Sequence, residues 1–458
     1  MMAMQRKKAI LVALVVALVG VVLLTNAYSA QRARFAVANV PFGIGSLAIP
    51  TAVPDATSVS WYCVIPSTLG AIRSDGIILE NPTRFDRRLL ISSEVGKRIN
   101  HGLLLAHSSL RLLVPPGHGR VIVSSGGVVA FIETQTTPTA TPQLSPCSSS
   151  PSNSWTVEGL STTTGSHSTI SVYNPFKVQA VIDLNYYSAQ GEVSVPSVEG
   201  LIVRPGAVLA INAERFAPNT SAIAAGISAR SGSVVVASSI ALPNTQESLG
   251  DAAPSGRLYF PYVPLVGTKT LSLDLVNTST TADPVTISMA GFDGTPQVAD
   301  MGQMRTVERV TVPAGAPLVV DLTSIASTTG SRAVAIKVTG RTALYGFGAV
   351  QTTNPVAPFY ELAPTLFHSS RWWVSCAANP STHVPEVVFS RASLASIIGG
   401  SLVGGVAQGS TATNILRPSL EPIGLTATTP SLYEVRLSQP MTVGTLPAVE
   451  GCAALPAT

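Results

Sequence analysis

The sequence predicts an all-β fold, made of tandem immunoglobulin-like or fibronectin-like β-sandwich modules after one N-terminal transmembrane helix. Three observations predict it. Segments of alternating apolar and polar residues, rich in β-branched and aromatic side chains, are separated by Pro, Gly and Asn, which is typical of short antiparallel strands. The same order of signals recurs four times along the chain. A single long uncharged apolar run lies near the N-terminus.

Length and composition favour a multidomain exported protein. The 458 residues leave room for three or four domains of about 100–150 residues each. Charged residues make up only 11% of the chain, against a usual share of about 25%, and Ser, Thr, Gly and Pro supply the polarity instead. This composition suits an extracytoplasmic β protein better than a cytosolic enzyme. With a net charge of +4 and no basic patch interleaved with aromatics, nucleic acid is not an expected partner.

The N-terminus predicts membrane insertion. Residues 1–8 are expected to form a cytoplasmic tail and residues 9–28 a signal anchor. Arg6, Lys7 and Lys8 precede the apolar run, so the positive-inside rule places the N-terminus in the cytoplasm and the bulk of the chain outside the cell membrane. The membrane is therefore the first predicted partner.

The anchor has a competing interpretation as a cleaved signal peptide. The uncharged run at residues 9–24 is longer than a usual signal-peptide core of about 7–15 residues and shorter than a span of about 20. Residues 25–28 extend it to a plausible span, which favours retention. Cleavage at Thr25-Asn26-Ala27 would instead give a secreted protein.

The exported part divides into a tether and four β modules. Residues 29–57 have no helical periodicity and are expected to be extended. The predicted modules are residues 58–147, 155–250, 256–360 and 370–455. A Thr/Ser/Pro-rich linker is expected at residues 134–154, because this composition cannot form a core.

The modules are recognised by signals in a constant order. Each opens with an aromatic residue that is expected to fill the core between two sheets, namely Trp61, Trp155, Phe260 and Trp373. A strand then ends at a corner residue, namely Asn81, Asn174, Asn277 and Ser390. A Pro/Gly corner and a final strand follow. The period of about 80–105 residues is too long for propeller blades or solenoid repeats, and it favours a sandwich.

Four cysteines in an exported chain predict two disulfides. Cys63 opens the first module and Cys147 follows its last strand, and Cys376 and Cys452 have the same places in the fourth. We therefore expect Cys63 to pair with Cys147 and Cys376 with Cys452. The alternative is cross-pairing, such as Cys63 with Cys452, if the first and last modules meet. A metal site is not favoured, because close-spaced ligands are missing.

No catalytic, cofactor-binding or metal-binding residue is predicted. The sequence lacks GxSxG, SxxK, HExxH and P-loop motifs. His101 and His107 share a strand face but have no carboxylate partner, and His167 lies among serines where a loop enters a strand. Asp183 and Asp274 lie in strands at different places, so no pair of facing carboxylates for a glycosidase is evident.

The second module carries a family resemblance. The run from Cys147 and Trp155 through GLSTTTG to SVYNPFKVQAVIDLNYYSAQGEV is similar to the repeat of an actinobacterial family of exported, membrane-anchored proteins, catalogued as a domain of unknown function. The resemblance covers roughly residues 55–455 and is strongest over residues 145–240, and residues 64–66 depart from the family pattern. It implies a loose association with envelope glycan assembly. It transfers no catalytic residue.

These observations predict a non-enzymatic, membrane-anchored extracytoplasmic protein with a structural or accessory role in the cell envelope. Another envelope protein is the expected partner, and no cofactor is expected. The alternative is a glycan-binding or adhesive surface protein, which exposed aromatics at Tyr186-Tyr187 and Trp372-Trp373 would support, because one of two adjacent strand residues points away from the core. An enzyme is the third reading.

Overall fold

The chain is almost entirely β in the part that a computed structural model describes. The described residues are 58–67, 76–81, 83–95, 100–106, 108–134, 143–193, 195–241, 246–249, 255–265, 267–292, 305–329, 333–352, 359–362, 369–376, 386–390, 400–403, 413–416, 423–424, 431–444 and 452–456. One α-helix, α1 (Thr323–Thr328), and two short 3-10 helices, Pro196–Val198 and Ala213–Arg215, occur among them. The all-β prediction is confirmed. The predicted tail, anchor and tether at residues 1–57 lie outside the described residues.

Eight strands form the first sandwich. They are β1 (Val59–Ile65), β2 (Gly76–Asn81), β3 (Arg87–Ser92), β4 (Asn100–Leu104), β5 (Ser108–Leu113), β6 (His118–Ser124), β7 (Val129–Thr134) and β8 (Gln143–Pro146). They make two antiparallel sheets, ordered β1-β6-β3-β4 and β5-β2-β7-β8. Trp61, Leu79 and Phe131 are fully buried in the core of this sandwich.

The second sandwich repeats this order. Its strands are β9 (Ser154–Leu160), β10 (His167–Tyr173), β11 (Ala180–Ser188), β12 (Gly191–Val193), β13 (Leu201–Val203), β14 (Val208–Asn212), β15 (Ile223–Ser231), β16 (Val235–Ala241) and β17 (Gln246–Leu249). The sheets are β9-β15-β11-β12, with β13 also on β11, and β14-β10-β16-β17. Alternation sets the faces, because Ile182, Leu184 and Tyr186 of β11 point into the core.

In the third sandwich one long strand replaces two. The strands are β18 (Ser255–Pro264), β19 (Thr268–Asn277), β20 (Asp283–Phe292), β21 (Arg305–Val312), β22 (Ala316–Asp321), β23 (Ala333–Thr352) and β24 (Phe359–Leu362). The first half of β23 pairs with β18 and β20, and its second half pairs with β19 and β24. It therefore takes the places that β15 and β16 have in the second sandwich.

The last part of the chain has a similar pairing. Its strands are β25 (Ser369–Cys376), β26 (Glu386–Ser390), β27 (Gly400–Val403), β28 (Thr413–Leu416), β29 (Ile423–Gly424), β30 (Ser431–Gly444) and β31 (Cys452–Pro456). The long β30 pairs with β25 and β27 and, near its end, with β26. Their side chains, including those of Trp372 and Trp373, lie outside the described residues.

No helix within the described ranges is long and apolar enough to span a membrane.

The Thr/Ser/Pro-rich stretch is bound along much of its length. Residues 143–146 form β8, although the composition predicts a linker. Ser148 exchanges two backbone hydrogen bonds with Tyr62 in β1, and Ser152 exchanges two with Val234, next to β16. The segment that joins the first two sandwiches is thus paired with both of them. Residues 135–142 lie outside the described residues.

The opening aromatics lie between the sheets. Trp61 and Trp155 are almost completely buried, and each indole Nε1 donates a hydrogen bond to a carbonyl that precedes the last core strand, Val128 O at 2.7 Å and Val234 O at 2.8 Å. Phe260 is also buried, at 1% exposure. Its ring has no donor, so the third sandwich keeps the aromatic packing without this hydrogen bond.

We predict that Trp155→Ala destabilises the second sandwich by about 3–5 kcal/mol, because it removes a large buried side chain. Trp155→Phe is the matched variant, and it should cost less because it mainly removes the bond to Val234 O. Hydrogen exchange of peptides from β9 and β15 in the full chain measures both. Unchanged exchange in Trp155→Ala would mean that this ring does not support the core.

Candidate functional site

Of the three histidines singled out in the sequence, His167 has a described side chain. The His167 Nδ1 atom pairs with Glu214, and the neighbouring Ser168 hydroxyl donates to Ser161 O. The His101 side chain and His107 lie outside the described residues. Within the described ranges, no three His, Cys, Asp or Glu side chains are grouped so that they could hold a metal ion.

The first predicted disulfide is present. Cys63 and Cys147 are bonded, with a Cα–Cα distance of 4.7 Å, and both are buried in the first sandwich. Cross-pairing of Cys63 with Cys452 is therefore excluded, although β31 lies beside β8. In the β25–β31 ladder the backbone of Cys376 is directly opposite that of Cys452. The second disulfide stays a prediction, because these side chains lie outside the described residues.

A buried asparagine forms the same corner in three sandwiches. Asn81, Asn174 and Asn277 are at most 1% exposed. Each side-chain oxygen accepts the backbone N–H two residues later, and each Nδ2 donates to the carbonyl four residues later. Each Nδ2 also donates to a carbonyl at the end of a later strand. The amide thus satisfies backbone groups of the corner loop and of a later strand's end.

The corners differ in the side chains that they expose. In the first sandwich Phe85 and Leu105, whose carbonyls bind Asn81, are 55% and 56% exposed. In the second, Val178 is 67% exposed beside the exposed Lys177. In the third, Thr280 and Thr281 stand at the places of Lys177 and Val178. The corners of the first two sandwiches therefore combine apolar and basic surface.

The residue before the second corner asparagine joins two sandwiches. Tyr173 points away from its own core and is fully buried, and its hydroxyl donates to Ser93 O at 2.8 Å. Its ring occupies the space above Gly119 in β6, where an added Cβ would lie 2.3 Å from ring carbons. Val64 and Tyr62 of β1 belong to the same apolar cluster. The first two sandwiches are therefore packed as one body.

Three further hydrogen bonds connect these two sandwiches. Ser67 N donates to Ser171 Oγ at 3.1 Å, and Ser239 Oγ donates to Ser67 O at 3.2 Å. Val95 N donates to Pro175 O at 2.6 Å. Both edges of the junction are thereby fixed.

The second sandwich has a recognisable family. A DUF5719 domain of unknown function is found at residues 143–242. The match confirms the resemblance to a family of unknown function where it was expected to be strongest. No curated protein matches the sequence. The matched range begins with β8 and contains the Asn174 corner and Tyr173.

The DUF5719 domain also contacts the third sandwich. Tyr187 and Ala224 from the domain pack with Val276 and Tyr345 from the third sandwich, all less than 10% exposed. Tyr187 points away from the domain core as alternation predicts, but the next sandwich covers it. Tyr186, its neighbour, is buried in the core and stacks on Phe216. This tyrosine pair is therefore not an exposed aromatic surface.

Asp274 is a buried carboxyl near this second junction. It lies opposite Val319 in the β19–β22 ladder, on the same sheet face as Val276. Burial raises its pKa to about 7 because desolvation disfavours the charged form. Asp183 in the DUF5719 domain behaves oppositely, since a hydrogen bond from Arg230 lowers the pKa of its carboxyl.

The sequence contains signals for the corner and junction residues that pattern reading missed. Tyr173 is a large aromatic on the outer face of a strand, directly before the corner asparagine. Arg84 and Arg87 flank Phe85 in the segment TRFDRR, where an outward polar loop is expected. Neither signal identifies the residue that completes it. Gly119, which the Tyr173 ring covers, and Leu105, which shares the corner with Phe85, are distant in sequence.

We predict that Gly119→Ala separates the first two sandwiches, because the new Cβ displaces the Tyr173 ring. Gly102→Ala is the matched control, since its Cβ would meet Leu89 at an ordinary 3.8 Å. Tyr173→Phe should cost about 0.5–1.5 kcal/mol through the lost hydrogen bond, and Tyr173→Ala about 3–5 kcal/mol. Faster hydrogen exchange at residues 147–153 reports the separation. Wild-type exchange in Gly119→Ala would contradict this packing.

We also predict that the third sandwich loses stability as pH rises. The unfolded Asp274 carboxyl ionises near 3.8 and the folded one near 7, so its contribution to stability is complete below the unfolded pKa, falls as pH rises from 3.8 towards 7, and is lost above the folded pKa. In calorimetry of the full chain, Asp274→Asn should remove this loss. Asp321→Asn is the control, because hydrogen bonds from Thr323 lower that pKa and its effect lies at acid pH. A loss between the two pKa values, 3.8 and about 7, that persists in Asp274→Asn would contradict the assignment.

Proposed function

We propose that the protein is a non-enzymatic, membrane-anchored extracytoplasmic protein with a structural or accessory role in the cell envelope. Its exported part consists of tandem immunoglobulin-like or fibronectin-like sandwiches, of which the DUF5719 domain is the second. The anchor, the cellular location and the absence of catalysis are inferences from the sequence. The domain junctions of the fold support the structural role alone.

The observation that carries the proposal is the burial of outward-facing residues between successive sandwiches. Tyr173 is buried against the first sandwich and Tyr187 against the third, and neither side chain is needed by its own core. This chain uses its large outward aromatics to hold one domain against the next. Fixed domain packing suits a structural or accessory role.

The tandem arrangement is supported by topology. The sheets of the first two sandwiches have equivalent strand orders, and a buried tryptophan donates to an equivalent carbonyl in both. The Asn277 corner and the strand pairing of β18–β23 extend the pattern to the third. Two antiparallel sheets around one buried aromatic are characteristic of immunoglobulin-like domains.

The glycan-binding alternative loses part of its basis. It depends on exposed aromatic pairs, and Tyr186 and Tyr187 are both buried. The other pair, Trp372 and Trp373, lies outside the residues whose side chains are described. We therefore retain an envelope protein as the proposed partner.

The anchor and the location are tested together in cells. We expect the full chain to remain in the membrane fraction after alkaline carbonate extraction, and protease added to intact spheroplasts to digest it. A variant with Arg6, Lys7 and Lys8 replaced by Gln should lose part of this orientation, because these charges set the topology. A mature N-terminus near residue 28 or 30 would contradict the anchor while leaving export intact.

A further inference from the structure

One end of the first sandwich combines exposed apolar and basic side chains. We define the basic-apolar corner as Phe85, Leu103, Leu105, Arg84 and Arg88. The carbonyls of Phe85 and Leu105 bind the same Asn81 Nδ2, at 2.8 and 2.9 Å. Leu103 and Arg88 are directly opposite in the β3–β4 ladder. Asn81 and this ladder therefore hold the five residues together.

The apolar members are exposed although the core is close. Phe85, Leu103 and Leu105 are 55%, 57% and 56% exposed, while Leu104 between the last two is buried. The Arg84 guanidinium lies 4.9 Å from the Phe85 ring centroid, and that of Arg87 lies 5.8 Å from it. An aromatic ring with two guanidinium groups close to it offers apolar and cationic surface at the same point.

The exported chain enters the first sandwich at this same end. Val59, at the start of β1, is opposite Ser124 in β6, and Ser124 is opposite Leu89 in β3. Arg87 Nη1 donates to the next residue, Ser125 O, at 2.8 Å. The tether before residue 58 therefore reaches the sandwich beside the corner. The opposite end, at Ile65 and Ser67, faces the DUF5719 domain.

We infer that the basic-apolar corner docks on the anionic phospholipid surface of the membrane in which the chain is anchored. This inference rests on the proposed function, because it needs the N-terminal anchor. The tether brings this end of the sandwich closest to the bilayer along the chain. Arginines attract anionic headgroups, and Phe and Leu side chains enter the boundary between headgroups and acyl chains.

The asparagine corners of the second and third sandwiches differ from the basic-apolar corner. The third sandwich has the same asparagine geometry at Asn277, but its corner exposes Thr281 and Ala282. Asparagine alone therefore does not require an apolar, basic surface. The DUF5719 corner shares the composition through Val178 and Lys177, but Pro175 there binds Val95 of the first sandwich. It lies at a junction and away from the tether.

Hydroxyl-radical footprinting of the full chain in vesicles tests the docking. The chain is reconstituted in phosphatidylcholine vesicles with and without phosphatidylglycerol, and the oxidation rates of Phe85, Leu103 and Leu105 are compared with the rate in detergent. Leu113 is the internal control, because it is 74% exposed at the other end of the same sandwich. We expect several-fold slower oxidation of the corner residues, and unchanged oxidation of Leu113, only with phosphatidylglycerol.

Charge variants test the electrostatic part. Arg84→Gln with Arg88→Gln should weaken the local association by about fivefold for each arginine and restore oxidation of Phe85. Lys269→Gln with Arg305→Gln is the matched control, since it removes two exposed charges from the third sandwich. We expect wild-type protection in this control.

Two readouts separate the inference from the proposed function. Failure of the chain to float with vesicles would contradict the anchor and with it the proposed function. Flotation with corner residues as reactive as in detergent would overturn the docking alone. Equal protection in both lipid mixtures, or protection that survives loss of both arginines, would overturn the assignment of an anionic lipid surface.

Discussion

The buried asparagine at the end of the second strand is the constraint on which the rest of the structure depends. In three sandwiches its amide accepts one N–H and donates to two or more backbone carbonyls, at the end of a later strand and in the corner loop. An unpaired buried amide or carbonyl would cost about 1–3 kcal/mol. The asparagine therefore fixes the register of the strand that precedes it and the path of the loop that follows it.

Because side chains alternate between the two faces of a strand, that register also decides which residues face away from the core. The residue before the asparagine must point away from its own sandwich, and Tyr173 and Val276 at this place are buried against a neighbouring domain. The residue four positions after the asparagine is held at the corner, and Phe85 and Val178 are exposed there. In the second sandwich the Asn174 amide thus fixes both the contact of Tyr173 with the neighbouring domain and the exposed position of Val178.

Local pattern was enough to predict the strands, the buried Trp61 and Trp155, the asparagine corners and the Cys63–Cys147 bond. Each depends on alternation, turn chemistry or proximity of module ends, which are visible in short segments. The junctions were not predictable, because an outward Tyr173 is identified only together with Gly119, a residue that lacks a side chain. The merging of two strands into β23 was also missed, since a continuous strand and two strands with a bend share the same alternation. The pKa of Asp274 depends on burial that no local pattern reports.

The central claim is that outward residues beside the corners lock successive sandwiches together. The most direct measurement is the distance distribution between spin labels introduced as unnatural amino acids at the exposed Ser109 in β5 and Ala210 in β14 of the full chain. Locked sandwiches give a single narrow distribution that broadens in Tyr173→Ala. A broad distribution in the wild-type chain, unchanged by that substitution, would contradict the account.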